Sequence, residues 1–215
     1  MPDTLPILSP LAVRVLGTLV EKQRTVPDTY PLSLNALAAG CNQKTSRQPV
    51  MEATETAILQ AIDELKEAAL VAEVSGSRVV RFEHRLEKAL AVPSQAAALL
   101  TVLMLRGPQT AGELRLNCER LHRFADISSV EAFLEELAAR PAGTLVVELP
   151  RLPGSRENRW QHLLGGAPGQ EILSASPAAG SELQELRERV TNLEAEVATL
   201  RQELRTLTAR SGGEG

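Results

Sequence analysis

Aromatic side chains are scarce in this chain. Tyr30, Phe82, Phe124, Phe133 and Trp160 make up 2% of 215 residues. Leu, Val, Ile and Ala must therefore fill the interior, which suits small helical domains. Apolar residues reach 43%, enough for one large core or two small ones. Cysteine is rarer still: Cys41 and Cys118 stand far apart with no CxxC pair. That spacing excludes a sequence-local zinc knuckle and leaves two reduced, semi-buried thiols as the expectation. No region has a basic excess. Residues 1–92 carry 10 basic and 11 acidic side chains, residues 93–168 carry 8 and 8, and residues 169–215 carry 5 and 8, for a net charge of −4. Avid non-specific DNA binding, which leaves a basic footprint, is not expected, although a local basic face remains open.

Other absences narrow the class of function. No apolar run reaches the roughly 18 residues that a bilayer span needs. The first residues lack a basic stretch followed by an apolar one. The expectation is a cytoplasmic protein with no membrane partner. No GxSxG, P-loop or GxGxxG motif occurs. His84, His122 and His162 are scattered, and Cys41 has no histidine assignable to it. These gaps point away from an enzyme and from any metal or cofactor.

What the chain does contain is a pattern that occurs twice. Each copy reads apolar helix, short helix, longer amphipathic helix, then two strands around a polar turn. The first copy runs from about Ser9 to Phe82, the second from Ser94 to Leu164. That order predicts a mainly α fold with small β-hairpins (α+β), namely tandem winged helix-turn-helix domains over 1–92 and 93–164. In copy one, Ser9-Pro10 starts a helix reaching about Lys22. Leu32 to Ala39 makes a short helix, Asn42 to Pro49 a polar loop, and Thr54 caps a third helix with Ile58, Ala61, Ile62 and Leu65 inward. Strands follow at 71–74 and 79–82, with Ser75-Gly76-Ser77 at the wing tip. In copy two, Ser94 caps the first helix and Gly107-Pro108 ends it. Thr110 caps a helix carrying Leu114, Leu116 and Leu121, and Ser128 or Ser129 caps a third. Strands are expected at 145–149 and 158–164, with a longer wing between them.

Residues 165–180, rich in Gly, Pro, Ala and Ser, read as a flexible linker. Beyond them Leu183, Leu186, Val190, Leu193, Val197, Leu200, Leu204 and Leu207 recur at alternating steps of three and four. That is a coiled-coil seam over 181–210, and its mix of a and d residues favours a parallel two-stranded homodimer. The flanking pairs Glu182–Arg187, Arg189–Glu194 and Glu196–Arg201 are all attractive in that arrangement.

Two sets of residues are candidates for nucleic-acid contact. One is the polar loop, with Asn42, Gln43, Lys44, Thr45 and Arg47. The other is the second wing, with Arg151, Arg156 and Arg159, because arginines there can grip phosphate or enter a minor groove. The third helices, the usual readers, offer mainly carboxylates: Glu55, Asp63, Glu64 and Glu67 in copy one, Glu131, Glu135 and Glu136 in copy two. Two readings follow. One is a DNA-associated regulatory protein; the other is a dimeric scaffold that binds an unidentified protein without DNA.

Several motifs resemble the bacterial YceH family. They are Glu21-Lys22-Gln23, Tyr30-Pro31-Leu32-Ser33, Asn35, Cys41-Asn42-Gln43-Lys44-Thr45, Arg47 and Pro49-Val50. A second set is Leu105-Arg106-Gly107-Pro108-Gln109-Thr110 with Gly112-Glu113-Leu114-Arg115. The similarity covers about residues 9–164, and the leucine-spaced tail is similar too. It implies a tandem winged-helix fold. It carries over no activity and no site residue, because the family consists of proteins of unknown function.

If the seam holds the dimer, Leu193→Pro combined with Leu200→Pro yields a folded monomer. A mass unchanged by light scattering rules the tail out as the dimer element.

Overall fold

A computed structural model describes residues 7–74 and 79–167. The turn Ser75-Gly76-Ser77, most of the linker and the whole leucine seam lie outside the described residues. The fold is mixed α+β, with seven α-helices and two small antiparallel sheets among the described residues.

Helix α1 spans Pro10–Thr25. Ser9 accepts a hydrogen bond from Ala12 N, and Pro10 occupies the first turn, where its missing N–H costs nothing. Helix α2, Leu34–Cys41, is capped by Ser33, and α3, Glu55–Glu67, is capped by Thr54. Strands β1 (Leu32–Ser33), β2 (Val71–Val74) and β3 (Arg81–His84) pair in the order β1-β3-β2. A short helix α4, Leu86–Leu90, leads into the second copy. There α5 covers Ser94–Arg106, α6 Ala111–Asn117 and α7 Ile127–Ala138. Strands β4 (Val146–Leu149) and β5 (Arg159–His162) close it.

Several boundaries differ from the sequence reading, each for a local reason. The second helix begins at Leu34 rather than Leu32, because Leu32 pairs with Phe82 and Ser33 with Arg81. The second strand is Arg81–His84, two residues later than expected, since Val71 pairs with His84. Val79 and Val80 are left about half exposed. The third helix of copy two is capped by Asp126, not by Ser128 or Ser129. Asp126 accepts from Ser129 N while the Ser129 hydroxyl faces back to the Asp126 backbone. Leu116 points outward at 70% exposure, and Leu121 lies beyond α6. The fold of copy one is echoed in detail by copy two: Gln109, just before α6, forms a bridge with Trp160 on β5, in the place where β1 meets β3.

The core is organised by α1 and α5. Every residue from Ala12 to Val20 is buried, and so is every residue from Ala96 to Leu105. A helix that is dry on all sides must have neighbours all round. Each of these packs against its own copy and against the other: α1 touches α2, α3 and α5, and α5 touches α1, α6, α7 and β5. One apolar cluster therefore runs from Leu8 to Leu164. The described residues all fall in one compact unit. Its two ends meet, with Leu8 N donating to Leu164 O at 2.7 Å. Ser9 is fixed at the same corner by Glu64, through both its backbone N–H and its hydroxyl.

Close approach is needed at two glycines. A Cβ on Gly17 would lie 3.0 Å from Leu105 on α5, and one on Gly40 would lie 2.7 Å from the Thr18 methyl on α1. Thr18 is fully buried and β-branched, so it has nowhere to turn. In an open helix Gly→Ala stabilises by about 1 kcal/mol. Here Gly40→Ala is expected to destabilise, by about 1–3 kcal/mol. The midpoint of urea unfolding checks this, and a raised midpoint would contradict the packing.

Candidate functional site

The polar loop after α2 sends part of its side chains into the protein: Arg47 is buried and Asn42 and Gln43 are partly buried, while Lys44, Thr45 and Gln48 are exposed. Asn42 acts as a mimic of a backbone pair: its Nδ2 donates to Ala53 O at 2.9 Å and its Oδ1 accepts from Ala53 N at 2.8 Å. Gln43 donates to the Thr45 carbonyl at 2.9 Å and accepts from Lys22 Nζ at 3.1 Å. Gln48 N reaches across to Leu105 O at 2.8 Å, and Arg106 donates to the Ser46 hydroxyl, also at 2.8 Å. The loop thus joins α1 and α2 of one copy to α5 of the other.

Arg47 is the centre of this arrangement. Its side chain is wholly buried. Nε and Nη2 donate to Gly40 O at 3.1 and 3.0 Å, and Nη1 donates to Ser46 O at 2.9 Å. The two ends of its fork meet both carboxylate oxygens of Glu21. A second buried arginine, Arg14 on α1, donates to Cys41 O at 3.3 Å and Pro49 O at 2.6 Å. Burial, followed by the neighbouring Arg47 charge, pushes the Arg14 pKa down. Gly40 and Cys41 are in the last turn of α2, so the two guanidinium groups cap the negative end of that helix. Sequence inspection passes over Arg14 because it sits among apolar neighbours. An arginine in the middle of an apolar stripe is itself the missed signal, since such a charge is tolerated only with fixed partners.

Of the loop candidates, Lys44 and Thr45 are exposed, and Lys44 has no hydrogen-bond or ion-pair partner among the described residues. On the second hairpin, Arg151 donates to Asn158 at 3.1 Å, and Asn158 in turn donates to Glu148 at 2.8 Å. Arg156 is exposed, whereas Arg159 on β5 is half-buried, with its Nε unpartnered. No hydrogen bond or ion pair among the described residues joins the loop to this hairpin.

The outward faces of the third helices are acidic. On α3, Glu55, Asp63 and Glu67 are exposed, and the single base, Lys66, is engaged by Glu73 at 2.6 Å and Asp63 at 3.7 Å. On α7, Glu131, Glu135 and Glu136 are exposed. Arg140, just after it, donates to the Leu90 carbonyl.

Both cysteines and two of the three histidines, His84 and His162, are withdrawn. Burial raises the Cys41 thiol pKa and pushes Cys118 up to about 12, so neither is a thiolate at neutral pH. Burial holds His84 and His162 down at about 4. His84 Nε2 lies 2.7 Å from Gln23 Oε1, and its backbone N–H donates to the Tyr30 hydroxyl at 2.7 Å. Gln23 and Tyr30 are thereby accounted for as residues that fasten β3. No group of three or more His, Cys, Asp or Glu able to hold a metal ion exists among the described residues. None of their helices is long and apolar enough to cross a membrane.

One concavity does bring motif residues together. A cleft of about 240 Å³ lies between the copies, walled by Glu21, Lys22, Gln43 and Thr45 on one side and Leu105, Arg106, Asn117 and Arg120 on the other. Both motif groups noted in the sequence contribute to it.

Comparison with known proteins gives one consistent result. A family model described as a protein of unknown function, DUF480, matches residues 8–155. A UPF0502 protein of Dechloromonas aromatica is 72% identical over 204 residues, covering 94% of this chain and 96% of that one. A UPF0502 protein of Methylibium petroleiphilum is 61% identical over 201 residues, with 90% and 85% covered. One of an Acidovorax species is 57% identical over 216 residues, with 97% and 96% covered.

Removing one partner of a buried ion pair strands the other. Arg47→Met is expected to destabilise the protein by about 3–5 kcal/mol, while Lys44→Ala changes stability by less than about 0.5 kcal/mol. Urea unfolding of the two variants checks the contrast. Equal effects would mean that Arg47 is not the internal tie described.

Proposed function

We propose, from the premise that this chain belongs to the DUF480 (UPF0502) family of bacterial proteins of unknown function, the family to which the YceH resemblance pointed, that it is a non-catalytic interaction protein. In this reading each copy is a winged helix, the leucine-spaced tail makes the chain a dimer, and a protein partner docks on the exposed faces of α3 and α7. The repeated order of three helices and a hairpin supports the winged-helix reading, together with the Gln109–Trp160 bridge in the place of β1.

The carrying observation is the charge of the two helix faces that would enter a major groove. They present Glu55, Asp63 and Glu67, and Glu131, Glu135 and Glu136, with no unpaired base between them. Carboxylates held against phosphates are repelled, whereas a basic protein surface complements them. The buried thiols, and the burial that holds His84 and His162 neutral, support a non-catalytic reading.

A second reading, DNA contact, has one observation in its favour: Lys44, Arg151 and Arg156 are exposed cations on a loop and a hairpin tip. Arg47 would not take part, because its donors are used internally.

Fluorescence anisotropy of the full chain with pooled short duplexes decides between the two. The interaction reading expects no saturable binding at low salt. It also expects that the proteins cross-linked to the wild type in its own cells are lost from Glu131→Lys/Glu135→Lys/Glu136→Lys, with the fold kept by circular dichroism. Duplex binding that falls steeply between roughly 50 and 200 mM salt would overturn it in favour of DNA.

A further inference from the structure

The cleft between the copies carries more positive charge than the fold neutralises. Lys22 comes from the last turn of α1, Arg106 from the last turn of α5, and Arg120 from the turn after α6. The lining includes a single carboxylate, Glu21; both of its oxygens are held by Arg47 and one also lies 3.7 Å from Lys22 Nζ, so this one negative charge is shared between two cations. Arg106 meets only a neutral hydroxyl, that of Ser46. Arg120 is exposed and has no partner among the described residues. The helix ends under Lys22 and Arg106 offset about half an elementary charge each, so a net positive charge remains. This is unexpected in a chain of net charge −4.

Three cations facing one concavity repel each other, and a concave surface focuses their field. An anion placed there relieves the repulsion and completes the hydrogen bonding of two guanidinium forks, whose planar geometry matches phosphate oxygens. The space is just below the roughly 300–1,000 Å³ of drug-sized pockets, so the occupant is small. It is not a nucleic-acid track. Binding a phosphodiester chain needs cations repeated along a stripe, and the long exposed faces of α3 and α7 are acidic.

We propose that this cleft is a binding site for a small, multiply charged anion of the phosphate class, held by Lys22, Arg106 and Arg120. Because its walls come from both copies, the bound anion stabilises the joint between them. That makes the cleft an effector site, separate from the partner-docking faces of α3 and α7, and it stands or falls independently of them.

The test is titration calorimetry and thermal unfolding of the full chain in a phosphate-free chloride buffer at constant ionic strength. The probes are inorganic phosphate, pyrophosphate and a nucleoside monophosphate. Saturable binding of at least one probe is expected, with a matching rise in Tm by linkage. Arg120→Glu, at an exposed position without partners, should keep the fold and weaken binding at least tenfold. Lys88→Glu, on the exposed side of α4, should bind as the wild type does. Absence of saturable binding to all three probes would overturn the proposal. So would equal weakening by Lys88→Glu, which would mark a diffuse charge effect. Binding of a short DNA duplex that is lost in Arg120→Glu, with none of the small anions bound, would assign the cleft to nucleic acid instead.

Discussion

The packing of α1 against α5 is the constraint on which the other elements depend. Both helices are apolar nearly all round and cannot stand at a surface. They solve this by burying each other, with Gly17 thinning α1 at the point where Leu105 and Met104 press in. The remaining elements then pack around this pair: α2 and α3 on α1, α6, α7 and β5 on α5. Two copies of one supersecondary unit have become a single core. Neither could keep its first helix dry alone, since each uses the other's first helix as a wall.

A dry centre leaves few places for charge, and the fold uses them sparingly. Arg14 and Arg47 are taken out of water at a considerable cost, which is offset by α2 carbonyls, loop carbonyls and the Glu21 carboxylate. The result is positional definition. The guanidinium forks fix where the loop after α2 passes, and the loop carries Gln48 to Leu105 and Ser46 to Arg106. The loop is therefore a device for joining the two copies. Lys44 has no such duty, which leaves it open to act on something outside.

How far the fold was legible depended on whether a feature was local. Ser9, Thr54 and Thr110 announce helix starts because a cap and its helix lie within four residues. The buried stripe of α3 follows from spacing alone. The strand β1 was not legible, because two residues become a strand only when Phe82 and Arg81 arrive beside them. The short α4 gives no periodic signal, and Asp126 does not stand out from nearby serines that are equally good caps. The candidate site was legible as a set of residues and misleading as a surface. Asn, Gln and Arg in a run look solvated, and only long-range partners such as Glu21 and Ala53 turn Asn42 and Arg47 inward. The leucine seam, the plainest pattern in the sequence, falls beyond the described residues.

The bond from Leu8 N to Leu164 O makes the folded unit a closed circuit, with entry and exit at one point. Tension between its two ends would act across that bond and the neighbouring clasp of Ser9 by Glu64, before reaching either hairpin. In mechanical terms the unit resembles a ring with a clasp more than a string of two beads. With the clasp opened, the traction falls on α1 at one end and on β5 at the other.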